Sequence, residues 1–144
     1  MNRNDCLFCE IIEENSKGVI VYQDDLFLVL MDKYPINPGH ILVMPKDHYN
    51  NLFDMDSKFV GKLFQLVWFV ADAIRIACKA DGINIGQNNG KAANQMVNHV
   101  HVHIIPRYIG DVKTGNFPSR RIDSVKDLEK ISSSIKNVLK NPII

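Results

Sequence analysis

Three histidines alternate with apolar residues in the segment 98–105, which reads Asn-His-Val-His-Val-His-Ile-Ile. This period of two predicts a β-strand, because successive side chains of a strand point to opposite faces of the sheet. We expect His99, His101 and His103 to share one face, while the valines between them point into the core. The segment therefore requires a sheet that buries one side of this strand.

The rest of the chain predicts an α+β fold with an antiparallel sheet. Strand-like segments are expected at residues 19–22, 26–31, 40–44, 83–87 and 97–108. Helices are expected at residues 6–14, from 56 to 79 with Asp54 or Asp56 as N-cap, and from 125 to 139 after a Ser124/Asp127 capping box. Asn37-Pro38-Gly39 predicts a type II turn, and Asp81-Gly82 is expected to end the long helix.

Length and charge limit the classes of function. The 144 residues fit one domain with its own core, and the formal net charge of +1 argues against broad binding to nucleic acid or to an anionic membrane. The apolar stretch 63–80 contains Asp72 and Arg75, which disfavours a membrane span. The first residues lack the apolar run of a secretory signal. We therefore expect a soluble, cytoplasmic protein without nucleic-acid or membrane partners.

The three alternating histidines have more than one chemical interpretation. They can be a solvated polar face, although strict alternation makes that explanation weak. A three-histidine zinc site is a second interpretation, but the outer pair, His99 and His103, would lie about 13 Å apart on a straight strand. The third is nucleophilic catalysis by a neutral imidazole, with the neighbouring rings depressing each other's pKa values. His101 is then the nucleophile, since it alone has an imidazole on each side.

The histidine segment and its surroundings resemble the histidine triad family, and within it the bacterial, Hint-like branch. His-Val-His-Val-His-Ile-Ile follows that family's signature, in which apolar residues separate the three histidines and two follow the last. The resemblance extends over about residues 6–108. It also includes the following strings and single residues: Asp32, Pro38-Gly39-His40, Pro45-Lys46-Asp47-His48, Asn88-Asn89-Gly90, Gln95 and Ile105-Pro106-Arg107-Tyr108.

The resemblance implies a fold and an assembly. The expected fold is a five-stranded antiparallel sheet with one long helix and a short N-terminal helix, to which this chain adds a C-terminal helix. Residues 1–110 would form the histidine triad domain, and residues 111–144 would be a loop and helix of the same domain. The expected assembly is a homodimer with a continuous ten-stranded sheet. The apolar face of the C-terminal helix either closes the core or packs on a second subunit.

The resemblance also implies an activity. Members of the family are nucleotide hydrolases and transferases that cleave nucleoside-monophosphoryl bonds in phosphoramidates or dinucleoside polyphosphates. By position, His101 would attack the α-phosphorus and form a nucleotidyl-histidine, with His103 and His40 near the phosphate. A nucleotide-binding regulatory module with weak or vestigial catalysis is the alternative.

A nucleotide pocket follows from the same resemblance. Asp32 would accept hydrogen bonds from both ribose hydroxyls, although a turn aspartate bonded to its own backbone is the simpler explanation. The remaining positions that match ligand-contacting residues, for an AMP- or GMP-like and preferably purine nucleotide, are Leu7, Phe8, Ile11, Leu30, Asn88, Gln95 and His103.

Cys6 and Cys9 form a C-x-x-C pair that is open to three explanations: core residues, a redox pair, or half of a zinc site, which needs four ligands. The resemblance implies the last, with His48 and His99 as partners and one structural zinc ion per chain. Cys78, on the long helix, is expected to serve packing.

Two residues depart from the family pattern. Asn94 stands where glycine often precedes the glutamine, and asparagine tolerates a positive φ better than most residues. Met96 stands where Hint-like members carry serine or threonine, a hydroxyl that assists the leaving group. The resemblance therefore leaves the leaving group open.

Overall fold

The computed structural model describes residues 5–112 and 115–140, which form five strands and three α-helices. The elements in chain order are α1 (Leu7–Glu13), β1 (Ile20–Gln23), β2 (Phe27–Met31), β3 (Ile41–Pro45), α2 (Ser57–Ala77), β4 (Gly82–Gln87), β5 (Val102–Arg107) and α3 (Val125–Leu139). Short 3₁₀ turns occupy Asn15–Lys17, Leu52–Asp54 and Lys91–Ala93. The expected α+β fold is confirmed, and β1 to β4 each begin and end within one residue of the predicted bounds.

The strands form one antiparallel sheet in the order β1-β2-β3-β5-β4. Alternation divides each central strand between the two faces, so Val43 and Val102 pair on one face while Leu42 and His103 pair on the other. The Val43 face carries the larger core, which α2 and α3 cover. The opposite face carries a second apolar cluster that includes Phe8 of α1. His103 therefore points toward the α1 side of the sheet.

The strand that contains the histidines begins later than the sequence predicts. β5 starts at Val102, so His99 and His101 precede it in irregular backbone. The His99 N–H donates to the Val97 carbonyl (2.9 Å), and the Val100 N–H donates to the Tyr49 carbonyl (2.9 Å) rather than to a neighbouring strand. Val100 and Val102 still point into the larger core, as expected. The predicted strand over 97–108 is thus wrong at its start.

The long helix is confirmed, with a different C-terminal signal. Asp56 is the N-cap, and its carboxylate accepts the Lys58 N–H at 2.7 Å. The helix ends at Ala77 because Lys79 adopts a left-handed φ of 51°. The Ala80 N–H then donates to the Arg75 carbonyl (3.1 Å) and the Lys79 N–H to that of Ile76 (3.4 Å), which is a Schellman motif. The expectation that Asp81-Gly82 ends the helix is therefore wrong.

The turn before β3 adopts the predicted geometry. The His40 N–H donates to the Asn37 carbonyl (3.0 Å), and Gly39 has a φ of +99° that disfavours any residue with a Cβ. A Cβ at Gly39 would also lie 2.6 Å from Cys78 Sγ. The turn therefore packs closely against the end of α2, with His40 directly after it.

The C-terminal helix closes the core rather than leaving its apolar face for a second subunit. Ser124 caps α3 by accepting the Asp127 N–H (3.1 Å), as predicted. Leu128 and Ile135 are buried in the core that α2 also covers. Within the described ranges, no helix combines the length and apolar character needed to cross a membrane.

Replacing Ser132 by alanine should stabilise the protein. Within residues 5–112 and 115–140, the Ser132 hydroxyl is the one buried side-chain nitrogen or oxygen without a hydrogen-bond partner. A buried, unpartnered polar group costs about 1–3 kcal/mol. We expect Ser132→Ala to raise the free energy of unfolding by about 1 kcal/mol, or the melting temperature by about 3 °C, relative to the control below.

The matched control for that prediction is Ser133→Ala on the same helix. Its hydroxyl is exposed and bonds to the Glu129 carbonyl (3.0 Å), so it receives the same gain in helix propensity without relief of a buried hydroxyl. Equal melting temperatures for the two variants would show that the Ser132 hydroxyl has no energetic cost.

Candidate active site

Hydrogen bonds determine the proton positions on His40 and His103. The Ile36 backbone N–H donates to His40 Nδ1 (3.0 Å), so the neutral ring carries its proton on Nε2. That Nε2–H lies 2.9 Å from His103 Nδ1, which must accept it. His103 consequently carries its own proton on Nε2, where it is available as a donor to a ligand.

His101 has the opposite arrangement of its two nitrogens. Its Nδ1 lies 2.7 Å from the His99 carbonyl, which only accepts, so Nδ1 carries the proton. Nε2 then keeps a free lone pair, the form of imidazole that acts as a nucleophile. The ring lies between those of His103 and Phe8, at centroid distances of 5.1 and 5.0 Å.

His101 is only 7% exposed, so the access of its ring to solvent decides whether it can react. Nε2 makes no hydrogen bond to the described residues. It is also not fully buried, because in the described part of the chain Ser132 Oγ is the one buried side-chain nitrogen or oxygen without a hydrogen-bond partner. Nε2 therefore reaches the surface, although apolar and imidazole rings flank it.

Burial is the main cause of low pKa values in this cluster. Desolvation lowers the pKa of His40 to about 3 and that of His103 to about 4. It also lowers the pKa of His101, against the opposing effects of the bond to the His99 carbonyl and of Asp32. Repulsion between imidazoles, the cause expected from the sequence, contributes less than burial. The three rings are neutral at pH 7.

His99 does not share the environment of the other two triad histidines. Its Nδ1 lies 3.4 Å from Cys6 Sγ and 3.5 Å from Cys9 Sγ, and Phe8 contacts both the His99 and the His101 rings. All three rings lie on the α1 side of the sheet, as expected, although His99 faces the cysteines whereas the His103 ring contacts that of His101. Over the ranges that the structure describes, the three triad histidines do not form a group close enough to share a metal ion.

Four potential metal ligands do converge, and they are the four that the resemblance implied. The ligand atoms of Cys6, Cys9, His48 and His99 all lie within 4.8 Å of one another. In a tetrahedral zinc site with bonds of 2.3 Å to sulfur and about 2.05 Å to nitrogen, neighbouring sulfur and nitrogen atoms are about 3.6 Å apart. The observed sulfur–nitrogen distances of 3.3–3.5 Å agree with that spacing.

The surroundings of this cluster also suit a metal ion. His99 Nε2 donates to the Pro45 carbonyl at 2.8 Å, which leaves the Nδ1 lone pair facing the cysteines. Cys6 Sγ accepts the Cys9 backbone N–H at 3.4 Å, a contact that favours the thiolate form. The donor set is compatible with zinc, and it ties α1 to the segment that precedes His101.

Asp32 is buried beside the histidines and already has protein partners. Its Oδ1 accepts the Tyr34 N–H (2.8 Å), which is the turn aspartate of the simpler explanation. Its Oδ2 accepts from Arg120 Nη1 (3.0 Å) and lies 3.4 Å from His40 Nε2. Sequence reasoning missed Arg120, because an arginine in an irregular C-terminal loop carries no signal of the residue it pairs with.

The loop between β4 and β5 is organised by Gln95. Its side-chain oxygen accepts the Gly90 N–H (2.7 Å), and its amide donates to the carbonyls of Asn50 (2.6 Å) and Val97 (2.9 Å). Asn94 has a φ of 68°, as expected for a residue in place of glycine. Because the side chain of Gln95 is fully bonded to backbone, it shapes the loop, and a nucleotide contact stays a prediction.

The other residues predicted to contact a nucleotide differ in exposure. Phe8, Ile11 and Leu30 are buried on the α1 side of the sheet, whereas Leu7 is 54% exposed. Asn88, at the start of the loop between β4 and β5, bonds weakly to the Asn94 carbonyl (3.4 Å). The Phe8 ring contacts the His101 ring directly, so it shapes the surroundings of the candidate nucleophile.

Comparison with known proteins identifies the class to which this fold and site belong. The profile of the HIT domain, the domain of the histidine triad proteins, matches residues 13–110, and the chain belongs to this family. The resemblance inferred from the histidine segment is thus confirmed.

Individual relatives align over most of the chain. A HIT-like protein of Saccharolobus solfataricus is 39% identical over 137 residues, covering 94% of this chain and 99% of its own. An adenosine 5′-monophosphoramidase of Schizosaccharomyces pombe is 36% identical over 135 residues, covering 91% of this chain and 98% of its own. An adenylylsulfatase of Arabidopsis thaliana is 40% identical over 105 residues, covering 73% of this chain and 53% of its own.

Solved structures share the fold. A histidine triad nucleotide-binding protein of Sulfolobus tokodaii superimposes with a TM-score of 0.86 at 36% identity, covering 94% of this chain and 93% of its own. A zinc-bound histidine triad protein of Mycobacterium smegmatis superimposes with a TM-score of 0.84 at 33% identity, covering 96% of each chain.

Proposed function

We propose that this protein is a nucleotide hydrolase or transferase that cleaves a nucleoside-monophosphoryl bond through a nucleotidyl-histidine on His101. The observation that carries the proposal is a pair of neighbouring imidazoles that hold their protons on different nitrogens, Nδ1 in His101 and Nε2 in His103. His101 offers a lone pair on Nε2, and His103, at a centroid distance of 5.1 Å, offers a proton on Nε2. The relatives named as a monophosphoramidase and an adenylylsulfatase support an adenosine 5′-phosphoryl substrate.

The reaction proceeds in two displacements at phosphorus. In the first, the Nε2 lone pair of His101 attacks the α-phosphorus, a P–N bond forms, and the bond to the leaving group breaks as that group takes up a proton from solvent. In the second, water attacks the same phosphorus and gives up a proton to solvent. The P–N bond breaks, its electron pair returns to Nε2, and the nucleoside monophosphate leaves. A second phosphate or other acceptor in place of water would give transfer instead of hydrolysis.

The neighbouring residues stabilise charge in both displacements. His103 donates its Nε2–H to a phosphoryl oxygen, and His40 orients His103 through the 2.9 Å hydrogen bond. When His101 attacks, its ring becomes cationic, and the His99 carbonyl stabilises the charge through Nδ1–H at 2.7 Å. Phe8, Ile11 and Leu30 lie against the base, with Leu7 at the rim, and Asp32 binds the ribose. Asn88 and Gln95 belong to the loop between β4 and β5, which would hold the phosphate.

Removing the nucleophile tests the proposal. With adenosine 5′-phosphoramidate as substrate, we expect the wild type to release AMP and His101→Gln to lose about 10⁴-fold or more in kcat. His103→Gln should lose less, about 10²-fold, because an amide still donates a hydrogen bond to phosphate. The measurement is AMP release by chromatography, with circular dichroism as a check of folding.

The outcome distinguishes the enzyme from the regulatory alternative. Intact-protein mass under alkaline quench should show one added nucleotidyl group on the wild type and none on His101→Gln. AMP binding without turnover or adduct in the wild type would favour a binding module. Turnover that persists in His101→Gln would exclude this mechanism altogether.

We also infer that Cys6, Cys9, His48 and His99 hold one zinc ion per chain. The sulfur–nitrogen distances, the Pro45 contact of His99 and the zinc-bound relative from Mycobacterium smegmatis support this assignment. A site with four protein ligands leaves no position for water, so the ion would supply a structural cross-link rather than chemistry. It would hold α1 and the backbone carbonyl of His99 in place.

Cysteine replacement tests the zinc site. We expect about one zinc per chain in the wild type, little or none in Cys6→Ser and Cys9→Ser, and a melting temperature that falls when a chelator removes the metal. Elemental analysis of purified protein gives the stoichiometry. Cys78→Ser is the matched control, since Cys78 lies outside the cluster and should retain the metal. Equal zinc content in all three variants would eliminate the ligand set.

We further propose a homodimer that joins two sheets through β4. This strand is at the edge of the sheet, and Ile85 on it is 50% exposed. Trp68 and Phe64, one helical turn apart on α2, are 68% and 37% exposed, so this helix supplies an apolar surface for the same interface.

Solution mass tests the dimer. We expect about twice the 16.4 kDa chain mass by sedimentation for the wild type, and a shift toward the monomer for Trp68→Glu, because a buried charge opposes association. Phe53→Glu is the control, since Phe53 is exposed but lies outside α2. A monomeric wild type would exclude the dimer.

The proposed location is the cytoplasm. All three cysteines lie in the described part of the chain and form no disulfide, as is usual in a reducing compartment.

A further inference from the structure

A segment outside the matched HIT domain crosses the loop between β2 and β3, which contains Asp32. We name residues 116–123, which lead into α3, the strap. At its start the Asn116 carbonyl accepts from Arg107 Nη2 (2.8 Å), and the Phe117 ring lies 5.1 Å from the Arg107 guanidinium. Near its end the Arg121 N–H donates to the Pro35 carbonyl (3.0 Å). The strap is therefore anchored on both sides of Arg120.

Arg120 is the residue of the strap that enters the candidate active site. Its Nη1 donates to Asp32 Oδ2 (3.0 Å) and to the Tyr34 carbonyl (2.7 Å). The Arg120 side chain is about half exposed, whereas the Asp32 side chain is about one-tenth exposed. A partly exposed cation thus covers one oxygen of a largely buried carboxylate.

The Asp32 carboxylate has little free capacity for a ligand in this arrangement. An ionised carboxylate accepts through two oxygens, about four lone-pair sites in all. Oδ1 already accepts the Tyr34 N–H, while Oδ2 accepts from Arg120 and lies 3.4 Å from His40 Nε2. A ribose that donates both hydroxyls to this carboxylate must displace Arg120 or share an oxygen with it.

We propose that Arg120 is a specificity-determining residue, which reduces the preference of the pocket for nucleotides with free 2′ and 3′ hydroxyls by competing with them for Asp32. This inference rests on the proposed function, in which Asp32 binds the ribose. The positive charge of Arg120 also attracts the phosphate, but that attraction acts equally on nucleotides with and without ribose hydroxyls. The ratio of the two affinities therefore isolates the competition at Asp32.

The test compares two ligands on three proteins. Calorimetry measures the dissociation constants of AMP and of 2′,3′-dideoxyadenosine 5′-monophosphate for the wild type, Arg120→Ala and Arg121→Ala. We expect the preference for AMP over the dideoxy nucleotide to rise about three- to fivefold in Arg120→Ala, the range expected when one exposed ion pair no longer competes. Arg121→Ala removes the same charge from the strap, but Arg121 pairs with Asp123 rather than Asp32, so its preference should equal that of the wild type.

Each other outcome overturns the inference, and the outcomes separate it from the proposed function. An unchanged or smaller preference in Arg120→Ala shows that Arg120 does not compete with ribose, even if AMP binds well. An equal rise in Arg121→Ala shows that net charge, not the contact with Asp32, is responsible. If neither the wild type nor Arg120→Ala binds AMP, the nucleotide pocket itself is wrong, and the role of Arg120 is excluded with it.

Discussion

His99 links the candidate metal cluster to the candidate nucleophile through three of its groups. Nε2–H donates to the Pro45 carbonyl, Nδ1 faces Cys6 and Cys9, and the backbone carbonyl accepts from His101 Nδ1. That carbonyl is available because the backbone here is not part of the sheet, where a neighbouring strand would occupy it. The irregular segment before β5 is therefore what allows one histidine to orient another, since a continuous strand would pair the carbonyl.

The same logic extends through the other two histidines of the site. A backbone N–H from Ile36 determines the tautomer of His40, and His40 in turn determines that of His103. The hydrogen bonds of His40, His101 and His103 depend on neutral rings, because a second proton on any of these rings would remove an acceptor. Burial provides that condition by lowering the pKa values of His40 and His103 far below neutrality. Burial therefore both limits the exposure of these rings and keeps them in the neutral form that the hydrogen bonds require. The Nε2 atom of His101 still reaches the surface, which is compatible with reactivity.

The sequence predicted helices and strands well where the periodicity of apolar residues reflects burial. It predicted them less well where backbone hydrogen bonds determine the end of an element. The alternation at 98–105 correctly placed Val100 and Val102 in the core. It could not show that the Val100 N–H bonds to Tyr49 instead of a strand, because side-chain orientation persists when pairing stops. At the end of α2, the sequence favours a stop at Asp81-Gly82, yet Lys79 adopts the left-handed conformation and completes the Schellman motif. The convergence of four metal-type ligands came from the resemblance, since spacing alone links Cys6 only to Cys9.

Arg120 shows why a site can extend beyond what any local pattern predicts. Its contact with Asp32 joins residues 88 positions apart, and it forms because two anchors, at Asn116 and Arg121, hold the strap across the loop. The two anchors are made by other residues, so they do not depend on the contact between Arg120 and Asp32. The histidines that would perform the chemistry lie within the matched domain, whereas this residue lies outside it. In the role proposed for Arg120, selectivity for the sugar would therefore depend on a residue outside the domain that carries the histidines.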